Sequence, residues 1–113
     1  MSKKLKGAVA HHNREVEELR DDRELAVAYL RAAMQGLDDP ENRAAGLLAL
    51  RTVAEAHGGL AAVAAEAGIT RESLYRALSP KGNPTLRTLL AVLKAVGMRL
   101  SVESGKRAHV RSA

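Results

Sequence analysis

Between Thr70 and Arg87 the sequence sets out side chains suited to reading and gripping a polyanion. Arg71 and Arg76 are the residues for base reading, because a guanidinium pairs with guanine O6 and N7 as a bidentate fork. Glu72 either accepts from a cytosine amine or simply favours the positive end of a helix dipole, and both readings stand. Ser73 is placed to reach a base edge or a phosphate. Tyr75 either packs on a thymine methyl or a sugar and donates to phosphate, or lies half-buried beside Leu78. Lys81, Asn83, Thr85 and Arg87 then supply donors where phosphate oxygens would sit. The chemistry on offer is recognition of a DNA groove, with nothing in it to make or break a bond.

Two short helices must position these groups, and the stretch LAAVAAEAGITRESLYRALS, Leu60 to Ser79, predicts them. Val63, Ala64 and Ala67 form one apolar face, and Leu74, Ala77 and Leu78 form the other. Gly68 suits the left-handed backbone of a helix end, Ile69 drops beneath the turn, and Thr70 caps the second helix. Ala64 keeps the crossing close. The outward face of the second helix is left polar or amphipathic: Thr70, Arg71, Glu72, Ser73, Tyr75, Arg76 and Ser79. By spacing and chemistry this is a helix-turn-helix, with the second helix entering the major groove N-terminus first. The amides that follow Gly58 and Gly59 are further donors to phosphate. The plain alternative is a helical hairpin with a solvated face.

Charge favours the first reading. The chain of 113 residues carries a net charge of +5, spread unevenly. Residues 59–102 contribute +4, residues 1–20 and 103–113 contribute +2 each, and residues 21–58 contribute −3. Basic charge gathered around a recognition helix is the electrostatic footprint of polyanion binding. The acidic middle would repel DNA or meet a basic protein.

Bulk composition sets the frame. The length suits one domain with some tail. With no Phe or Trp and only two Tyr, the core must be Leu, Val and Ala, which suits closely packed helices. The absence of cysteine excludes disulfides and thiolate metal sites. No apolar run approaches the ~20 residues of a membrane span, and MSKKLKGAV lacks the apolar stretch of a signal peptide. A cytoplasmic protein is expected.

Taken in order, the sequence predicts an all-α bundle of five helices with a short C-terminal β-strand. Residues 1–18 read as a flexible basic segment, 19–102 as the helical domain and 103–113 as a disordered basic tail. Adjacent His11 and His12 point to different sides of a helix with no third ligand at useful spacing, so they read as solvated and no metal or cofactor is expected. Asp21 with Glu24 forms a capping-box start, and Leu25, Ala28, Tyr29 and Ala32 make the apolar stripe that follows. Asp39 and Pro40 open the next helix, with Ala44, Leu47, Leu48, Val53 and Ala54 inside, and His57 sits at its end. After a turn-rich loop, Pro84 or Thr85 opens a helix whose wide apolar face (Leu86, Leu89, Leu90, Val92, Leu93, Val96) belongs at the bundle centre or against a second subunit. Gly97 stops it, and Met98 to Val102 alternates like a strand.

Selective reading of DNA asks for two recognition helices about 34 Å apart. A homodimer is therefore expected, joined through Leu93, Val96, Met98, Leu100 and Val102. An enzyme is disfavoured, since no nucleophile–base pair, phosphate loop or carboxylate cluster appears at useful spacing. A purely protein-binding helical module remains an alternative.

The stretches LRDDRELAVAYLRAAM, the DPE start, ALRTVAEAHGGLAAVAAEAGITRESLYRALS and GNPTLRTLLAVLKAVGMRL resemble the addiction-module antidote proteins, helix-turn-helix antitoxins of the lambda-repressor-like group. The resemblance covers roughly Leu19 to Val102. It is most specific at the GG pair, the RESLYRALS run and the GNPTL loop, and it departs at Pro80, which bears on local loop shape. It implies a dimer with two jobs: neutralising a small cognate toxin, and repressing transcription at its own operator DNA. Toxic activity would belong to the partner. The acidic helices from Asp21 to Glu55 and the N-terminal segment are both open as the toxin-binding surface. A stand-alone repressor without a toxin is the runner-up, sharing the motif chemistry and lacking the partner.

Overall fold

The computed structural model describes residues 3–105, with side chains from residue 10 onward, and contains six helices in that range. These are α1 (Lys3–Asp21), α2 (Arg23–Met34), α3 (Arg43–Ala56), α4 (Leu60–Ala67), α5 (Arg71–Ala77) and α6 (Leu86–Ala95). The expectation of five helices and a C-terminal strand is thereby corrected, while the all-α class stands. Helix geometry begins at Lys3, well before residue 19, and supplies the sixth helix. Met98–Val102 forms no strand. Its alternating pattern is not enough, because a strand needs a neighbour to take up its backbone groups, and none exists among the described residues. Instead Met98 N–H donates to the Leu93 carbonyl (2.7 Å), closing the end of α6. The expected basic tail lies, beyond Gly105, outside the described residues.

Helix α3 is the axis of the fold. It packs against α1, α2 and α4, and buries Leu47, Ala49, Leu50, Thr52, Val53, Ala54 and Ala56. Its small residues let three neighbours approach, so the bundle centre falls on α3 and not on the more apolar α6. Thr52 is the one buried polar side chain among the described residues, and its hydroxyl donates to the Leu48 carbonyl one turn back. Leu48, expected inside, is 43 % exposed.

Helix α1 lies along α3 and is anchored there by Leu19, which is buried, and by Val16. His12 Nε2 donates to Glu55 Oε1 (3.2 Å), and Arg20 Nε donates to the Ala56 carbonyl (3.3 Å). His12 is therefore paired with α3 and is not merely solvated. A single residue, Asp22, joins α1 to α2 and accepts from Leu25 N–H, so the cap falls one position later than Asp21. The α2 face turns accordingly: Ala26 and Leu30 are buried, whereas Leu25, Ala28 and Ala32 face outward.

Asp39 and Pro40 belong to a turn and not to the first turn of α3. Asp39 holds that turn by accepting from Glu41 N–H and from the Asn42 side chain, and α3 starts only at Arg43. At the far end His57 is the C-cap residue, with its backbone N–H and its ring Nδ1 both directed at the Val53 carbonyl. Helices α3 and α4 meet at an angle of 98°, and no single helix among the described residues is long and apolar enough to cross a membrane.

Candidate nucleic-acid interface

The turn between α4 and α5 is built from local rules. Gly68 adopts φ +76°, which costs a side-chain-bearing residue about 1 kcal/mol or more. That twist aims Ile69 N–H back at the Ala64 carbonyl (3.0 Å) and Gly68 N–H at Ala65 (3.2 Å), a Schellman closure. Ile69 packs against the core beneath the turn, and Ala64 is fully buried at the crossing. Thr70 Oγ1 accepts from Ser73 N–H (3.0 Å) and donates to Ser73 Oγ (2.9 Å). Both hydroxyl oxygens are thus engaged in capping, and the Ser73 O–H is the donor left over for an outside acceptor.

Leu74 and Leu78, both fully buried, fix the rotation of α5 about its axis. The opposite face carries Arg71, Glu72, Tyr75, Arg76 and Ser79, which together line a shallow depression of about 380 Å³. The structure therefore brings five of the expected residues to one surface. Ser79 Oγ is turned inward, donating to the Arg76 carbonyl (2.8 Å). Among the described residues no carboxylate lies within ion-pair distance of Arg71, Arg76, Lys81 or Arg87; the ion pairs present there are those of His12 with Glu15 and Glu55.

The loop after α5 follows the end of the helix closely. Gly82 N–H donates to the Ser79 carbonyl (2.8 Å), and a Cβ at position 82 would stand 2.1 Å from the Ala77 carbonyl oxygen. Lys81 and Asn83 are held outward on either side of it, and Arg87 is exposed on the first turn of α6. Thr85 caps α6, accepting from Thr88 N–H (3.0 Å) and donating to Thr88 Oγ1 (3.1 Å), so its hydroxyl serves the helix.

Sequence reasoning missed Arg51. From α3 its guanidinium carbon sits 4.8 Å from the centroid of the Tyr75 ring, the geometry of a cation–π contact. No local pattern signals a pairing between residues so far apart in the chain. Tyr75 is 48 % exposed, with one face covered by Arg51.

The residues expected at a dimer surface separate into two groups. Leu93 and Val96 are buried in the chain's own core, at 3 % and 1 % exposure. Met98 is half-buried, whereas Leu100 (42 %) and Val102 (97 %) face solvent, as do Leu86 and Leu90 on the outer side of α6. A groove of about 660 Å³ runs between α2 and the end of α6, lined by Leu30, Met34, Leu89 and Leu100 among others. The Gln35 amide crosses it to donate to Glu103 (3.1 Å).

Away from this surface, the Tyr29 hydroxyl titrates above its ordinary value of 10.0. Burial is the main cause and the charge of Glu15 adds to it, against an opposing hydrogen bond with Thr52. Among the described residues no group of three or more His, Asp or Glu is arranged to hold a metal ion.

Six helices among the described residues, with a short, cation-bearing α5 seated on the buried pair Leu74 and Leu78, define a small all-helical protein. Residues 11–104 match the family described as "Probable addiction module antidote protein", and the chain belongs to that family. It is also similar to an uncharacterised protein of Haemophilus influenzae strain Rd, 42 % identical over 60 residues. That alignment covers 53 % of this chain and 61 % of the relative, so the match spans less than two thirds of the relative's length. No solved structure matches.

Proposed function

We propose that this chain is the antitoxin of a two-gene addiction module, acting in the cytoplasm, which binds a small cognate toxin and represses its own operator as a homodimer. Membership of the antidote family supports the toxin partner. The DNA half rests on one observation: Arg71 and Arg76 share the exposed face of α5 with Tyr75, and no carboxylate among the described residues, Glu72 included, stands within ion-pair distance of them. In this reading Arg71 and Arg76 read guanines, Glu72 contacts a cytosine amine, and the Ser73 hydroxyl donates to a base or phosphate acceptor. Lys81, Asn83 and Arg87 hold the phosphate backbone, while Thr70 and Thr85 act through the helix starts that they cap. The exposed apolar residues Leu86, Leu90, Leu100 and Val102 are the material for the dimer contact.

The test is to express the gene with its chromosomal neighbour, tag this chain alone, and measure what co-purifies and what DNA is bound. The expected result is a small protein in fixed ratio, harmful when produced alone, together with salt-dependent binding to the upstream DNA. Retained DNA binding with no companion would replace the antitoxin by a stand-alone repressor. A companion without salt-dependent DNA binding would leave a protein-binding module.

A further inference from the structure

Arg51 lies outside every segment that the proposed recognition surface was built from, yet it touches that surface. It sits on α3 between Leu50 and Thr52, both fully buried, so its backbone is fixed by the core. Tyr75 follows fully buried Leu74 on α5, so its backbone is fixed as well. Helix α5 packs chiefly on α4, and the Arg51–Tyr75 stack bridges from α3 to the exposed side of α5. Glu55, one turn further along α3, is engaged by His12. Among the described residues no carboxylate stands within ion-pair distance of Arg51.

We propose that Arg51 is a positioning residue for sequence reading: by stacking on Tyr75 it fixes the ring on the α5 face beside Arg71 and Arg76. The proposal rests on the DNA-binding reading above. An exposed tyrosine on a two-turn helix otherwise samples several rotamers, and each must be given up when DNA is bound. A ring already held by a planar guanidinium loses less on binding. Arg51 thus acts through Tyr75 and not through a phosphate of its own.

The experiment compares binding of the full chain to its own upstream duplex and to a scrambled duplex of equal length, across a salt series. Variants are Arg51→Ala, Tyr75→Ala and the double substitution, each checked for native helicity at the temperature used. Arg51→Ala is expected to lower the preference for the upstream duplex about two- to fivefold, with the salt slope unchanged. In the Tyr75→Ala background the same change should leave the preference where it was. Equal losses of affinity on the two duplexes, in either background and with a salt slope smaller by about 0.9, would make Arg51 a simple phosphate contact and overturn the proposal. An unchanged preference would overturn it too. In the unbound protein, the Tyr75 ring proton resonances should move toward those of an unstructured tyrosine in Arg51→Ala. If the parent chain shows no salt-dependent DNA binding, the reading of α5 fails and the role of Arg51 with it, while these resonances report separately whether the stack exists.

Discussion

Arg23, the first residue of α2, donates a hydrogen bond to the carbonyl of Gly97, the residue just past the end of α6 and 74 positions away. A second, longer bond reaches the Val96 carbonyl (3.5 Å). The guanidinium thereby satisfies carbonyls that the helix end leaves without partners, at the negative end of its dipole. Arg23→Ala is expected to destabilise the fold by about 1 kcal/mol, since the contact is largely exposed. Gly97 has φ +78°, and a Cβ there would stand 2.6 Å from Arg23 Nη2. Gly97→Ala should therefore cost about 1 kcal/mol or more from the backbone alone. After it, Arg23→Ala should cost almost nothing further; the midpoints of urea unfolding for the four proteins measure this.

Thr70→Ala separates capping from recognition. The hydroxyl holds Ser73 N–H and Ser73 Oγ, so the substitution should cost about 1 kcal/mol of stability. Sequence preference should change little once the protein is folded, as measured at a temperature well below melting. A large loss of preference with unchanged stability would transfer Thr70 from cap to base contact.

The two kinds of cation on the candidate surface should respond differently. Arg76→Ala is expected to cost about 1–3 kcal/mol on the preferred duplex and to relax specificity. Lys81→Ala should weaken all sequences alike and reduce the salt slope by about 0.9. Titrations at several salt concentrations on matched and random duplexes distinguish them, and equal losses for Arg76→Ala on both would remove it from base reading.

Gly82→Ala has no room. The added carbon would stand 2.1 Å from the Ala77 carbonyl oxygen and 2.5 Å from its carbon, both backbone atoms. The loop must therefore move away from α5, at a cost of about 1–3 kcal/mol. Because Lys81 and Asn83 flank the glycine, binding to all duplexes should weaken together. Thermal melts paired with DNA titrations check both effects.

Tyr29 sets an alkaline limit. Its hydroxyl titrates above 10.0 in the folded chain because burial, and next the charge of Glu15, disfavour the phenolate. A group whose folded pKa is raised contributes its stability in full below the unfolded value, and loses it as pH rises through the folded one. Stability should therefore fall more steeply above about pH 10 than in Tyr29→Phe. Urea midpoints between neutral and strongly alkaline pH, for both proteins, test the sign.

The legible parts of this fold are those decided within a few residues. Gly68, Ile69 and Thr70 carry their turn in their own conformational preferences, and Thr85 and Gly97 bound α6 as their types predict. The misreadings arise where a neighbour in space decides. Asp21 is a good cap, but α1 continues through it and passes the role to Asp22. Asp39 and Pro40 suit a helix start equally well as the turn they form. Leu86 and Leu90 are as apolar as Leu93, and only the path of α4 along α6 separates exposed from buried. On the candidate surface the α5 side chains were readable from helical phase, whereas Arg51 was not, because its partner lies on another helix. The expected strand shows the same limit, since alternation describes one segment and pairing requires two.

The two tyrosines give the chain a further property. Without tryptophan, they supply its intrinsic ultraviolet emission. Tyr29 is half-buried against the core and Tyr75 stands under Arg51 on the face proposed for DNA. Replacing Tyr29 with Phe would leave a single tyrosine on that face, so that binding at α5 could be followed optically without attaching a dye or introducing tryptophan.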